Sequence, residues 1–148
     1  MSSAVAGSRR VAAEGSPPAA GAAHFSQHLG FAVERSEPGH VWLRLPVLRH
    51  LRNRSGRGVH GGVLAGCVDS AVAAALHSLY DDDPTVAGWS TLELNISYLA
   101  PAAGSEVTAE ARVIRAGRSI VVGEVTIFAV DGTPAAAGRA SYRLWRDG

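Results

Sequence analysis

The stretch HGGVLAGCVD at residues 60–69 brings two kinds of chemically useful group close together in the chain. A helix starting at Gly61 and Gly62 leaves its first backbone N–H groups without partners. The partial positive charge of that end suits an oxyanion. Glycine there also lets a reacting carbonyl come close to the backbone. Asp69 is the lone acid in an otherwise apolar run, and a carboxylate is costly to place among apolar residues. That cost makes it the candidate general base or nucleophile. Gly62 and Asp69 fall on one helical face, yet the rise per residue puts them roughly 10 Å apart. A single reacting carbon cannot easily touch both. The spacing therefore favours a site in which one subunit supplies the helix N-terminus and its neighbour supplies the carboxylate.

Other reactive side chains carry less. Cys67 lies almost opposite Asp69 on the helix and reads as core rather than nucleophile. Ser70 lacks the Gly-x-Ser-x-Gly setting of a hydrolase elbow. His24, His28, His40, His50, His60 and His77 show no ligand spacing, so neither a metal nor a cofactor is expected. Arg49, Arg52, Arg54 and Arg57, with Arg44 upstream, form a basic, glycine-punctuated stretch before the helix. It reads equally well as a solvated loop or as a phosphate-binding one. Trp42, Trp89 and Trp145 read as core or interface.

The element that positions the chemistry is residues 60–80, dominated by Val, Ala and Leu around nearly the whole circumference. A helix apolar all round is a buried helix. Its length is at the threshold for a membrane span, but Asp69 and His77 argue against lipid. The expectation is the central helix of a soluble domain, with one carboxylate held inside. Residues 24–31 suggest a short helical turn ending at Gly30. FAVERSEP and HVWLRLPV alternate as strands around a Glu37-Pro38-Gly39 turn, which predicts a hairpin. After the helix, STLELNISYL alternates with period two: Thr91, Glu93, Asn95 and Ser97 on one face, Leu92, Leu94, Ile96 and Tyr98 on the other. VTAEARVI and IVVGEVTIFAV follow around a tight turn at Ala116-Gly117-Arg118-Ser119, and Asp131-Gly132 turns into a last strand ending near Trp145. Short connections predict antiparallel neighbours. One sheet and one all-round apolar helix can cover each other only if the sheet curls around the helix, and a dimer would cover the remainder.

The chain's 148 residues suffice for one core, and a net charge of +1 gives no reason to propose nucleic acid or a membrane as partner. A single cysteine excludes an internal disulfide. No apolar segment follows Arg9 and Arg10, so no signal peptide is expected and the cytoplasm is the default location. Residues 1–23 are rich in Ala, Gly, Ser and Pro and read as a flexible tail, with the folded domain at residues 24–148.

In this order and spacing the pieces resemble a known family: HGG opening a buried helix, an acid nine positions after the histidine, NISYLAPA at residues 95–102, and the Gly-Arg-Ser turn at residues 117–119. They are similar to the hot-dog-fold acyl-CoA thioesterases, most closely the phenylacetate-pathway (PaaI-like) branch, over about residues 25–145. The resemblance implies an α+β fold, an antiparallel sheet wrapped around one long central helix. It implies hydrolysis of an acyl-CoA by a homo-oligomer, dimer or tetramer, with no cofactor. It also implies Gly61 as the backbone donor to the thioester carbonyl, Asp69 as base or nucleophile, and Thr91 as the hydroxyl that positions the attacking water, with adjacent Ser90 able to serve instead. The branch often carries an asparagine six residues before the histidine. Arg54 stands at that position and Asn53 one earlier, so a one-residue insertion would restore Asn53. His60 would hold the helix start or lie near the thioester, beside Gly62. Arg54, Arg57, Arg118 and Ser119 are candidates for contacts to CoA. Rival readings are a thioesterase for carrier-protein-bound intermediates, a non-catalytic acyl-CoA-binding protein, and a dehydratase-like relative.

Overall fold

The computed structural model describes residues 24–147; the segment read as a tail lies outside the described residues. A short helix, α1 (Phe25–Leu29), ends at Gly30, whose φ of 88° lies in the left-handed region. Strands β1 (Ala32–Glu37) and β2 (His40–Pro46) form the expected hairpin, pairing Glu37 with His40 across Pro38-Gly39. A single 3-10 turn (Arg49–Leu51) leads to the long helix α2 (Gly61–Tyr80). The strands β3 (Val86–Tyr98), β4 (Glu106–Ala116), β5 (Ile120–Ala129) and β6 (Pro134–Arg146) follow. All six strands join one antiparallel sheet in the order β1-β2-β4-β5-β6-β3, with α2 against one face of it.

That order corrects one expectation. β3 is not beside β4; among the described residues it pairs only with β6, at the far edge of the sheet. Residues 99–105 cross beneath the start of α2 instead of turning back as a hairpin. Val59 donates to the Ala102 carbonyl at 3.0 Å, and Gly58 packs so closely on Ala102 that a Cβ there would sit 3.2 Å from its carbonyl oxygen. The connection is short in sequence because it passes the end of the helix.

The core is small-residue and aliphatic. Val68, Val72 and Leu76 of α2 meet Val41, Val107, Val121 and Ile127 of the sheet, all fully buried. Gly123 and Gly138 let the helix lie close: a Cβ at Gly123 would come 2.7 Å from Val72, and one at Gly138 would come 2.8 Å from Val68. The helix is apolar all round, but within one chain only the stripe Leu64, Cys67, Val68, Ala71, Val72, Ala75 and Leu76 is buried. Val63, Ala73 and Ala74, on the remaining surface, are only half-buried. No charged or polar residue in the described region is fully buried, so Asp69 is a half-buried carboxylate and not one enclosed in the core.

A second correction concerns β3. Thr91 pairs with Tyr142 and Glu93 with Ser141, so Leu92 is an extra residue, a β-bulge, and is 55% exposed. The bulge resets the strand's phase. Thr91 joins Leu94 and Ile96 on the face toward the helix, where strict alternation would have set it on the outer face.

Candidate active site

Asp69 sits midway along α2, and two strands present hydroxyl groups to it. Thr91 on β3 donates to Oδ1 at 2.8 Å. Tyr142, opposite Thr91 on β6, donates to the same Oδ1 at 2.5 Å and lies 2.9 Å from the Asp69 backbone carbonyl oxygen. Burial, and then the adjacent carboxylate, holds the Tyr142 phenol well above its ordinary pKa, so it remains a donor at any neutral pH. Ser90, the neighbour of Thr91, pairs with Arg143 and takes the opposite face of the sheet, so it is not the alternative hydroxyl for Asp69.

A second group of residues gathers at the N-terminus of α2. The His60 Nδ1 accepts the Gly62 N–H at 2.9 Å and so caps the helix. No acceptor among the described residues takes the Gly61 N–H. Gly61 lines a cavity of about 420 Å³ together with Asn53, Leu64, Tyr98 and Pro101. Tyr98 donates its hydroxyl to the Gly61 carbonyl at 2.7 Å. The loop before the helix is a small hairpin closed by the Arg52–Val59 bridge, with Asn53 N–H donating to the Gly58 carbonyl at 2.8 Å. That loop turns Asn53 into the cavity wall and leaves Arg54 and Arg57 exposed at its tip. Ser55 donates to the Asn53 side-chain oxygen at 2.8 Å. Arg52 is tied inward by the Gly104 carbonyl at 3.1 Å and belongs to the loop's own architecture.

Within one chain the two groups stay apart. Eight residues of helix separate Gly61 from Asp69, about 12 Å along the axis. Arg118 and Ser119 lie on the Asp69 side: the Arg118 carbonyl accepts from Arg146 at 2.8 Å and the Ser119 carbonyl accepts the Leu144 N–H at 2.8 Å. They do not line the cavity at Gly61. Cys67 is fully buried, and burial pushes its thiol up to about 12, which leaves no thiolate for nucleophilic attack.

Tyr142 is the site residue that sequence reasoning passes over. It lies in the last strand, between Ala140 and Leu144 on the buried face, where strand alternation alone gives it no role in a site. The usable signal was its oxygen: a tyrosine placed in a core needs a hydrogen-bond partner, and the lone acid on the facing helix is the available one.

Comparison with known proteins agrees with this architecture. Residues 57–136 match the thioesterase superfamily. A protein of Halobacterium salinarum provisionally named an esterase is 37% identical over 127 residues, covering 80% of this chain and 83% of its own length. The medium/long-chain acyl-CoA thioesterase YigI of Salmonella typhimurium is 29% identical over 135 residues, covering 81% of this chain and 84% of its own. The solved PaaI protein of the E. coli phenylacetic acid degradation operon superposes with a TM-score of 0.70 at 24% identity, over 83% of each chain, and shares the hot-dog fold. With its helix wrapped by an antiparallel sheet and its match across residues 57–136, the chain belongs to the thioesterase superfamily and is a thioester hydrolase of the hot-dog fold.

Proposed function

We propose that the protein hydrolyses an acyl-CoA thioester to the free acid and CoA, at a site assembled from two subunits. The observation that carries this reading is the separation of two complementary half-sites in one chain. One holds a carboxylate with hydroxyl donors, Asp69 with Thr91; the other holds an unpaired N–H at a helix N-terminus, Gly61, opening on a cavity. The half-buried stripe of α2 beside Asp69, and the exposed edge strand β3, are the surfaces through which a second copy would bring its Gly61 to this Asp69.

In that site the thioester carbonyl oxygen accepts the Gly61 N–H at the positive end of the helix, where charge develops in the tetrahedral intermediate. Asp69 removes the proton of a water that attacks the carbonyl carbon, or attacks the carbon itself to give an anhydride that water then opens. Either route breaks the C–S bond, and a proton passes to the leaving CoA thiolate. Asn53, on the cavity wall, orients the acyl group's carbonyl end, while His60 holds the helix start. Exposed Arg54 and Arg57 at the tip of the loop that carries Asn53, with Arg118 at the neighbour's half-site, suit the phosphates of CoA. The medium/long-chain acyl-CoA activity for which the relative YigI is named supports the same substrate class.

CoA release from a panel of aryl and medium-chain acyl-CoAs, detected with a thiol reagent, tests this. Wild type should turn over at least one of them, and Asp69→Ala should lose at least about 100-fold while remaining folded and oligomeric. Absence of turnover on every acyl-CoA, with activity on carrier-protein thioesters, would replace CoA by a carrier protein as the substrate's thiol.

A further inference from the structure

We propose that Tyr142 is the positioning residue of the catalytic carboxylate: with Thr91 it ties down Oδ1 of Asp69 and leaves Oδ2 as the reacting oxygen. The inference rests on the reading of Asp69 as base or nucleophile. It goes further by assigning a role to a side chain that touches no substrate and by naming which oxygen reacts.

The geometry is one-sided. Both hydroxyl contacts fall on Oδ1, at 2.8 Å from Thr91 and 2.5 Å from Tyr142, and no donor among the described residues reaches Oδ2. The two donors stand directly opposite each other on neighbouring strands, so they are held by the sheet ladder and not by flexible loops. Tyr142 is only 3% exposed, and its ring packs in the core beneath the helix. The phenol therefore cannot turn to solvent for another partner, and a buried donor left unmade is costly. The other acceptor within reach of this one hydrogen, the Asp69 backbone carbonyl at 2.9 Å, is farther than Oδ1 and belongs to the same residue, so the phenol has no partner outside Asp69 to turn to. An oxygen that accepts two hydroxyl hydrogens has given up the electron density that would take a proton from water or attack a carbonyl carbon. Oδ2 keeps its lone pairs and is the oxygen that can do either. The raised phenol pKa is consistent with a donor that keeps its proton throughout the reaction.

Steady-state kinetics on the full chain tests this with Tyr142→Phe, which keeps the ring and removes only the oxygen, alongside Thr91→Val and Asp69→Asn. A hydrogen bond to a charged group predicts a fall in kcat of roughly 10- to 100-fold for Tyr142→Phe, with KM nearly unchanged. The double variant Thr91→Val/Tyr142→Phe should depart from the product of the two single losses, because both hydroxyls serve one oxygen. Wild-type kcat in folded Tyr142→Phe, or a loss confined to KM, would overturn the proposal. Should the Phe variant not fold, Thr91→Val on the exposed strand carries the same kcat-against-KM test. Asp69→Asn separates the two levels: full activity there removes Asp69 itself from the chemistry, whereas an inactive Asp69→Asn with a normal Tyr142→Phe removes only the positioning role.

Discussion

The Tyr98 hydroxyl donates to the Gly61 carbonyl at 2.7 Å, while its ring stands 3.1 Å from where a Gly61 side chain would begin. The same contact that anchors the first residue of α2 would thus press a methyl group tightly against the ring. Tyr98 is 55% exposed and free to swing outward, so Gly61→Ala should fold normally yet displace the phenol from the cavity wall. We expect kcat/KM on acyl-CoA to fall by roughly 10- to 100-fold with little change in thermal midpoint, as misplacement at a reacting site does. Unchanged kinetics would separate Gly61 from the reaction.

A site shared between subunits has a distinctive genetic signature. Gly61→Ala and Asp69→Asn, each impaired alone, should complement when co-expressed, because a mixed dimer holds one site with both half-sites intact. Random mixing predicts recovery of about a quarter of wild-type activity. Activity no higher than the sum of the separate variants would mean that each chain builds its own site.

Acid stability should depend on Glu110. His40 Nε2 lies 2.7 Å from its Oε1, and Arg112 donates to the same oxygen at 2.8 Å. The hydrogen bond to His40, and then Arg112, holds the carboxyl below its ordinary value of 4.5, against the opposing effect of partial burial. The unfolded chain therefore takes up this proton first as pH falls. Its contribution is complete above that ordinary value and is lost as pH drops toward and through the folded one. Thermal unfolding followed between pH 7 and pH 3 should show a shallower decline for Glu110→Gln than for wild type. Parallel curves would assign acid sensitivity elsewhere.

The close approach of helix and sheet makes Gly138 the least replaceable glycine in the core. A Cβ there would lie 2.7 Å from the Asn95 backbone oxygen and 2.8 Å from Val68, so relief needs movement of both β3 and α2. Gly138→Ala should cost about 1–3 kcal/mol in chemical denaturation. Gly132→Ala makes a useful comparison, since nothing lies within 4 Å of its Cβ and any loss there comes from its φ of 85° alone.

Much of this was legible in the residues, for identifiable reasons. The hairpin, the helix from Gly61 and the later strands follow from alternation and from turns at Pro38-Gly39 and Asp131-Gly132, which are local signals. Asp69 stood out because it interrupts an apolar helix. What stayed hidden was non-local. Nothing in residues 99–105 indicates that the chain passes under the helix and sends β3 and β4 to different places in the sheet. On paper Arg54 holds the position six before His60 and Asn53 needs a one-residue insertion to reach it; the small hairpin closed by Arg52 and Val59 is what puts Asn53 on the cavity wall and leaves Arg54 exposed. Tyr142 carries the same apolar alternation as its neighbours, so its oxygen's destination depends on which helix face lies opposite.

The extra residue at Leu92 lets β3 carry two messages in different reading frames. Before it, the frame that faces the helix holds the hydroxyl of Thr91; after it, that frame holds Leu94 and Ile96. A strand without the bulge must choose, because strict alternation sends either Thr91 or the pair Leu94 and Ile96 to the outer surface. A one-residue deletion here would therefore act like a frameshift written in three dimensions, preserving every neighbouring side chain while separating the part of the strand that serves chemistry from the part that serves the core.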